Sequence, residues 1–219
     1  MMPYQIIKRL IDITFALVLL ILFLPIWLII PVLIKLDSEG PVFYLQERLG
    51  RKGKKFNIVK FRTMSMIKVK GKTVHAAEYW KYNGDKELYK KYKESGWKLT
   101  LDEDPRVTRL GKILRQTSID EFPQVFNILK GDMSLVGPRP IREIEIEDAV
   151  KRFGKNIQKL IKASLDVKPG LTGPWQVSGR NNISWDQRIQ IDVNYAKRRS
   201  LLDDLSIMIK TPFAMLSKW

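Results

Sequence analysis

Two adjacent carboxylates in the segment "TSIDEFPQVFNILKGDMSLVGPRP" are the residues of this chain best suited to chemistry. They are Asp120 and Glu121, and the segment ends with Arg139 between two prolines. The sequence has no cysteine and a single histidine, His75, which excludes thiolate nucleophiles, disulfides and a histidine metal cluster. Aspartate is then a credible covalent nucleophile toward phosphorus. The pair indicates phosphoryl transfer, with a surface cluster of opposite charges as the alternative.

Basic side chains around the pair could offset its repulsion of a pyrophosphate. Arg115 lies just before the pair, Lys130 follows it, and Arg139 is held in "GPRP". A guanidinium on a rigid backbone can bind two phosphate oxygens. Mg²⁺ held by Asp120, Glu121 and phosphate oxygens would complete the neutralisation.

The apolar spacing after the pair predicts a helix that begins there. Four apolar residues recur at helical spacing and are expected to face the core: Phe122, Val125, Phe126 and Leu129. Pro123 would then lie in the first turn with Asp120 as the N-cap, and Ser118 with Glu121 fits a capping box. Capping would explain the two carboxylates without catalysis. Because a helix start also attracts phosphate, the two interpretations do not exclude each other.

The charge balance predicts a polyanionic partner. The 219 residues include 39 Lys+Arg against 23 Asp+Glu, a formal net charge of +16. Nucleic acid, a phosphorylated substrate and anionic lipid would all match this charge. The length is that of one domain with an appended segment.

The N-terminal region predicts membrane insertion. Residues 13–34 are uncharged and nearly all apolar, and as one helix they would reach roughly 33 Å, which matches a bilayer core. Basic residues flank both ends, and Pro25 interrupts the middle, which favours a re-entrant helix with both ends in the cytoplasm. A kinked spanning helix is the alternative. Asp12, at the edge of the apolar run, is expected to pair with Arg9 or Lys8.

Several further elements can be predicted along the soluble part. The run "GPVFYLQERLGRKGKKFNIVKFRTM" predicts a β-hairpin around a Gly- and Lys-rich turn. The polar insertion 66–103 contains a short helix at "DKELYKKYKE" and no evident chemistry. A helix in "DPRVTRLGKILR" would have Asp104 as its cap and Pro105 at its first position.

The C-terminal segment 195–219 predicts amphipathic helices lying on a membrane surface, with ordinary core helices as the alternative. Taken together, these elements predict an α+β monotopic membrane protein. Residues 1–36 form its Pro-broken re-entrant helix, and residues 37–219 form a small cytoplasmic catalytic domain with a β-hairpin and interfacial helices.

Long ordered motifs link these elements to a known family. The run "DPRVTRLGKILRQTSIDEFPQVFNILKGDMSLVGPRP" follows "FNIVKFRTM" and precedes "VKPGLTGPWQVSGRNNISW". These motifs resemble the bacterial sugar transferase family of monotopic phosphoglycosyl transferases, over nearly the whole chain. Other members often have "SLDELPQ" where this chain has "SIDEFPQ", an exchange of apolar residues that leaves the carboxylate pair intact.

The resemblance implies a mechanism and a set of site residues. Asp120 would attack the sugar-bearing phosphate of a UDP-sugar, release UMP and carry the phosphosugar covalently. Glu121 would complete the dyad, assist with Mg²⁺ and help to deprotonate polyprenyl phosphate, which then accepts the phosphosugar. Four basic residues match family positions near the substrate phosphates and nucleotide: Arg115, Arg139, Lys60 and Arg180.

The resemblance also implies partners and a location. UDP-galactose or UDP-glucose is favoured as donor, with polyprenyl phosphate as acceptor, membrane lipids as surroundings and no nucleic acid. The enzyme would work at the cytoplasmic face of the cell membrane, without the additional N-terminal membrane helices of longer members. Trp175 and Trp185 could stack on a base or sugar, or belong to the core or membrane interface.

Two other kinds of protein remain as alternatives from the residues. One is a basic membrane-anchored protein that binds anionic lipid or nucleic acid without catalysis. The other is a transporter fragment, which would need more membrane segments.

Overall fold

Helices dominate the chain and are joined by short paired strands. The computed structural model describes residues 2–69, 72–74, 86–94, 99–179 and 183–216. The helices in these ranges are α1 Met2–Leu22, α2 Leu24–Asp37, α3 Lys86–Glu94, α4 Arg109–Gln116, α5 Gln124–Lys130, α6 Glu143–Phe153, α7 Asn156–Ser164, α8 Pro174–Val177, α9 Trp185–Arg198 and α10 Leu201–Leu216. The strands are β1 Phe43–Leu49, β2 Lys55–Phe61, β3 Ile67–Val69, β4 Lys72–Val74, β5 Ser134–Val136 and β6 Gly170–Thr172. This composition confirms the α+β fold class.

The chain divides into two compact units. The first unit comprises Met1–Leu24, Leu45–Lys60 and Glu121–Trp219. The second unit comprises Pro25–Tyr44 and Phe61–Asp120. The division into a membrane segment 1–36 and a catalytic domain 37–219 stays a prediction.

The apolar N-terminal segment breaks next to Pro25. Helix α1 ends at Leu22 and α2 begins at Leu24, so Pro25 lies in the first turn of α2, where its missing N–H is not needed. Among the described residues no single helix is long and apolar enough to cross a membrane, whereas α1 and α2 together are, as a pair bent by 64°. Buried core helices and signal sequences can have the same length and composition. Re-entrance therefore stays a prediction.

Asp12 anchors α1 within the first unit. Its Oδ1 accepts hydrogen bonds from Ser134 Oγ and the Leu135 N–H, each at 3.0 Å. The predicted pairing of Asp12 with Arg9 or Lys8 is therefore wrong. Those two cations are engaged elsewhere, because Lys8 pairs with an aspartate of α10 and Arg9 donates to carbonyls at the end of α5. Asp12 is buried against β5, which supplies these two hydrogen-bond donors. Because β5 is distant in the sequence, no local pattern predicts this pairing.

The predicted hairpin is present, and most of its residues belong to the first unit. Strands β1 and β2 form a two-stranded sheet, and the Gly50 N–H donates to the Lys54 carbonyl at 2.8 Å to close the turn. Helices α6, α7 and α9 pack against one another through a buried apolar cluster: Ile141, Ala149, Ile157, Ile161, Ile189 and Val193. Ile141 in this cluster follows the "GPRP" loop directly, so the cluster supports the segment after that loop.

A parallel strand pair fixes the position of that loop. Ser134 lies opposite Gly170 and Val136 lies opposite Thr172, so β5 and β6 run side by side in the same direction. The loop that contains Arg139 begins immediately after β5. The carboxyl end of β5 therefore determines where the Arg139 backbone starts.

The second unit contains the described parts of the insertion. Strands β3 and β4 pair antiparallel, and α3 confirms the short helix predicted at "DKELYKKYKE". Arg62 is buried and donates to the carbonyls of Ser38 at 2.7 Å and Pro41 at 2.6 Å, just beyond the end of α2. Cations placed in this way stabilise a helix C-terminus. His75 lies outside the described residues.

Helix α4 begins later than the sequence predicts. Its N-cap is Thr108, whose side chain accepts from the Gly111 N–H. Asp104 instead binds the buried guanidinium of Arg106, with Oδ1 2.7 Å from Nε and Oδ2 2.6 Å from Nη2. The prediction of Asp104 as the cap is wrong because a buried arginine two residues away supplies stronger donors.

Helix α5 also begins later, and a different face is buried. It starts at Gln124 after Pro123, so Asp120 is not its N-cap. Phe126 is 43% exposed, against the prediction that it faces the core. The buried face instead includes Asn127, whose Nδ2 donates to the Asn57 carbonyl at 2.7 Å while its Oδ1 accepts from the Val59 N–H at 3.0 Å. These bonds to β2 hold α5 in an orientation that apolar periodicity does not predict.

The C-terminal helix is amphipathic, as predicted for segment 195–219. One stripe of α10 leaves four large apolar side chains more than half exposed: Leu202, Leu205, Ile209 and Phe213. Ile207, on the opposite face, is buried. Contact of this stripe with a membrane stays a prediction.

Candidate active site

The two carboxylates lie in a tight turn between α4 and α5. Residues Ile119–Glu121 form one 3₁₀ turn, and Asp120 within it is buried. Ser118 precedes the turn with φ of 58°, a left-handed conformation that is uncommon for residues other than glycine. The Ser118–Glu121 capping box is therefore not formed as predicted. The boundary of the two units falls between Asp120 and Glu121, and each carboxylate has neighbours in its own unit.

Glu121 is surrounded by cations. Lys60 Nζ donates to its Oε1 at 2.6 Å, and Arg48, Arg139 and Gln124 line the same cleft. Burial would raise the pKa of the Glu121 carboxyl, but Lys60, Arg139 and Arg48 outweigh it and lower the pKa to about 2. Glu121 is therefore fully ionised at neutral pH.

Arg48 is a functional candidate that sequence reasoning missed. Its side chain is buried, its Nη1 donates to the Pro140 carbonyl at 3.1 Å, and it lies 3.6 Å from Glu145. Burial and the nearby Arg139 lower the pKa of Arg48 to about 10, while Glu145 opposes this shift. The available signal was its place in β1, where strand alternation turns it to the same side as the half-buried Tyr44 and Gln46.

The "GPRP" loop is held by close backbone contacts. The backbone is so tight that a β-carbon on Gly173 would lie 2.0 Å from the Gly137 carbonyl oxygen, and one on Gly170 would lie 2.1 Å from the Gly137 nitrogen. The Ile141 carbonyl also accepts from the Leu49 N–H at 2.9 Å. These contacts place Arg139 without help from its own side chain.

The Arg139 guanidinium is available for a ligand. It lies 5.5 Å from the centre of the Trp175 ring, and it has no hydrogen-bonded or ion-paired acceptor within the ranges that the structure describes. Since it shares a cleft with Lys60 and Arg48, three cations face one carboxylate there. The cleft is therefore suited to an anion, and phosphate is the natural match for a guanidinium.

Arg188 is a buried polar group near the same tryptophan, Trp175, that the sequence did not predict. Arg188 is 5.4 Å from the centres of both the Trp175 and Trp185 rings. Within the described part of the chain, hydrogen-bond partners are missing for Arg188 Nε and Nη2, Trp175 Nε1 and Gln176 Oε1. Buried polar atoms rarely stay unpaired, so these groups are candidates for contact with a polar ligand. Trp185 also stacks on Phe153 at the edge of the core, which is the structural role weighed for it.

Arg115 and Asp120 belong to the second unit. Arg115 Nε donates to Thr63 Oγ1 at 2.9 Å, which fixes the guanidinium. Burial lowers the pKa of Arg115, and the negative charge of Asp120 acts against this shift. In the first unit, the structure thus places Lys60 and Arg139 near Glu121. In the second unit, Arg115 interacts electrostatically with Asp120. Arg180, the remaining predicted residue, lies outside the described residues.

Glu121 is a suitable ligand for a Mg²⁺ ion that is shared with substrate. Among the described residues there is no group of three or more histidine or acidic side chains that could hold a metal alone. Mg²⁺ commonly uses one or two carboxylates plus substrate phosphates, and Glu121 is an ionised carboxylate that lines the cleft. Joint binding of the ion by Asp120 and Glu121 stays a prediction.

Known proteins resemble this chain over almost its whole length. Residues 3–218 match the bacterial sugar transferase family. The exopolysaccharide production protein ExoY of Rhizobium meliloti is 42% identical over 216 residues, which cover 96% of this chain and 86% of the relative.

Two longer relatives carry names that specify a reaction. The undecaprenyl-phosphate galactose phosphotransferase of Salmonella typhimurium is 38% identical over 212 residues, which cover 96% of this chain and 40% of the relative. The UDP-N-acetylgalactosamine-undecaprenyl-phosphate N-acetylgalactosaminephosphotransferase of Aeromonas hydrophila is 39% identical over 211 residues, which cover 95% of this chain and 43% of the relative. The chain therefore spans about two fifths of these two relatives.

Proposed function

Because the chain belongs to the bacterial sugar transferase family, we propose that it transfers a sugar 1-phosphate from a UDP-sugar to polyprenyl phosphate. The products are UMP and polyprenyl-diphosphate-sugar, and this would be the first membrane step of a glycan assembly pathway. The chain is a phosphoglycosyl transferase, since its relatives include undecaprenyl-phosphate sugar phosphotransferases. Binding of lipid or nucleic acid without catalysis is not favoured for a member of this family.

The observation that carries the proposal is the ionised Glu121 within a cleft lined by Lys60, Arg139 and Arg48, directly after Asp120 in the chain. Lys60, Arg48 and Arg139 outnumber the carboxylates of Glu121 and Glu145 beside them, so positive charge remains for the phosphates of a nucleotide sugar. Arg139 has no acceptor among the described residues, so a phosphate can bind it without breaking an existing bond. The unpaired atoms of Trp175, Gln176 and Arg188 are candidates for contacts with the nucleotide.

The reaction has two displacements at phosphorus. An oxygen of the Asp120 carboxylate attacks the phosphorus that bears the sugar, the bond to the bridging oxygen breaks, and UMP leaves. A phosphate oxygen of polyprenyl phosphate then attacks the same phosphorus, and the Asp120 carboxylate is released. Arg115 and Arg139 bind the phosphates, and Mg²⁺ supplies charge neutralisation when it is bound.

The pKa of Glu121 limits its role. A general base works best with a pKa near the working pH, and a carboxyl whose pKa is about 2 takes up a proton poorly at neutral pH. We therefore propose that Glu121 acts by holding Lys60 and Mg²⁺ near the phosphates, and that polyprenyl phosphate enters already ionised. Deprotonation of the acceptor by Glu121, as the family resemblance implies, stays an alternative prediction.

The position of the break between α1 and α2 supports a location for the proposed reaction. Phe23, at the break between α1 and α2, packs on Phe122 with ring centres 4.8 Å apart, and Phe122 follows Glu121 directly. The break in the apolar segment thus lies near the carboxylate turn. We propose a re-entrant helix at the cytoplasmic face of the membrane, where a soluble nucleotide sugar and a lipid phosphate can meet.

The test is the intact mass of the purified chain after incubation with Mg²⁺ and a panel of UDP-sugars without lipid acceptor. The panel contains UDP-galactose, UDP-glucose and UDP-N-acetylgalactosamine. We expect a phosphosugar adduct with one of them, its discharge by polyprenyl phosphate, and no adduct for Asp120→Asn. Release of UMP only when lipid is present, with no adduct at any time under rapid quenching, would contradict the covalent step.

A further inference from the structure

A second basic cavity lies in the first unit, away from the carboxylate turn. Its volume is about 280 Å³, and it is lined by the first turns of α1, the segment before β6 and the end of α9. That volume holds many water molecules and is sufficient for a phosphate group. None of the residues that line the Glu121 cleft also lines this cavity.

The cavity has an excess of positive charge. Five basic side chains line it: Lys8, Arg9, Arg51, Lys168 and Arg199. The acidic residues of the lining are Asp12 and Asp166. The carboxylate of Asp12 is already engaged by Ser134 and Leu135, and Lys8 is paired with Asp204. The remaining cations of the lining still outnumber its acids, although Asp12 acts electrostatically on Lys168.

Two of these cations converge at Gly131. A β-carbon on Gly131 would lie 3.5 Å from Lys168 Nζ and 3.6 Å from Arg9 Nη2, so the two groups are no more than about 7 Å apart. Arg9 donates to the carbonyls of Ile128 and Leu129, whereas Lys168 has no acceptor within the described ranges. Burial and the nearby Arg9 lower the pKa of Lys168, while the negative charges of Asp12 and Asp132 act against this shift.

Exposed apolar side chains lie on α1, one of the helices that line this charged cavity. Ile6 and Leu10 are each 61% exposed and lie one turn apart, on another face of the helix than the lining residues Lys8 and Asp12. The Lys8 bond to Asp204, 2.8 Å long, ties α1 to the start of α10 and thereby to its exposed apolar stripe. A soluble phosphate would use the cations alone, whereas a phospholipid would use both surfaces.

The geometry points to a binding site in this cavity for the phosphate group of a membrane phospholipid, with the acyl chains along the exposed faces of α1 and α10. Lys168 and Arg9 bind the phosphate oxygens, and Arg51 adds long-range attraction. This site goes beyond the proposed transfer reaction, because it anchors the enzyme through a lipid that is neither donor nor acceptor.

The test measures lipid binding by the full chain in detergent micelles, with native mass spectrometry as the readout. Dioctanoyl phosphatidylglycerol is titrated against the wild type, Lys168→Gln and the matched control Lys162→Gln, an exposed lysine of α7. Loss of a charge-assisted bond should weaken binding about tenfold in Lys168→Gln and less than about twofold in Lys162→Gln. Arg51→Gln, expected to weaken binding about threefold, replaces Lys168→Gln should that variant fail to fold.

Three further ligands identify the source of the phosphate. Dioctanoylglycerol has the same chains without phosphate and should bind at least about tenfold more weakly, as should inorganic phosphate. Farnesyl phosphate should not displace phosphatidylglycerol. The assignment would be overturned if Lys168→Gln bound phosphatidylglycerol as tightly as the wild type does, or if Lys162→Gln lost as much affinity as Lys168→Gln. It would also be overturned if the wild type bound inorganic phosphate as tightly as phosphatidylglycerol. Displacement by farnesyl phosphate would instead make the cavity an acceptor site.

The same variants separate this proposal from the transfer reaction. Lys168→Gln should still form the phosphosugar adduct with Mg²⁺ and the UDP-sugar, because Lys168 does not line the Glu121 cleft. If Lys168→Gln binds phosphatidylglycerol more weakly but still forms the adduct, the lipid site is supported, even if polyprenyl phosphate does not discharge the adduct. Loss of the adduct in a folded Lys168→Gln would place the residue in the reaction and contradict a separate lipid site.

Discussion

Replacing Lys60 should expose how strongly the site depends on the Lys60–Glu121 ion pair. The folded pKa of Glu121 is about 2 against an ordinary 4.5, and about 1.36 kcal/mol per pKa unit converts this difference to about 3.4 kcal/mol. Glu121 is 31% exposed and two arginines share the effect, so we assign about 1–2 kcal/mol to Lys60. For a chain of this size, that corresponds to a fall of about 2–8 °C in the unfolding temperature.

The assay is a double-mutant cycle followed by tryptophan fluorescence during thermal unfolding in micelles. Lys60→Met should lower the unfolding temperature more in the wild type than in Glu121→Gln, and the two decreases should differ by about 2–8 °C. Lys55→Met is the matched control, because Lys55 and Glu143 form a pair with side chains 51% and 61% exposed. Additive effects of Lys60→Met and Glu121→Gln would refute the reasoning.

The same pair has a defined dependence on pH. Because the folded pKa is depressed, the stabilisation by Glu121 is fully present above its unfolded pKa of 4.5 and is lost as the pH falls through about 2. The stability difference between the wild type and Glu121→Gln should be unchanged from pH 7 to pH 5.5 and keep about three quarters of its value at pH 4. Loss of half the difference already at pH 5 would show that Glu121 is not held by the surrounding cations.

Three other substitutions test the supporting structure by thermal unfolding. Gly170→Ala should lower the unfolding temperature by several degrees and abolish the adduct, because its β-carbon would lie 2.1 Å from the Gly137 nitrogen; an unchanged protein would contradict the tight loop. Asp204→Asn should cost about 3–5 kcal/mol because it leaves a largely buried lysine unpaired, whereas the exposed Asp203→Asn should cost no more than about 0.5 kcal/mol. Ser118→Val should be about 1–2 kcal/mol less stable than Ser118→Gly, because φ is 58° there; equal stabilities would argue against a left-handed residue before the carboxylates.

Local patterns predicted elements whose causes are local. Pro25 cannot donate a backbone hydrogen bond, and the helix breaks just before it. Apolar runs on either side of a Gly- and Lys-rich turn predicted β1 and β2 because a short turn favours pairing of its flanking strands. The adjacency of Asp120 and Glu121 is covalent, so the sequence alone places them together.

Contacts between distant segments decided the rest. Asp12 found its donors at Ser134 and Leu135, and Asn127 turned α5 toward β2, because buried polar groups bond wherever the fold supplies a partner. Arg48 reached the Glu121 cleft for the same reason. Such pairs have no fixed spacing along the chain.

The sequence by itself determined the carboxylate pair, the broken apolar helix, the hairpin and the excess of basic residues, because each depends on neighbouring residues or on composition. Only the tertiary structure decided which cations surround Glu121, how far they lower its pKa, and that a second group of cations meets at Gly131. Electrostatic effects depend on distance and burial, and both are set by packing rather than by order along the chain.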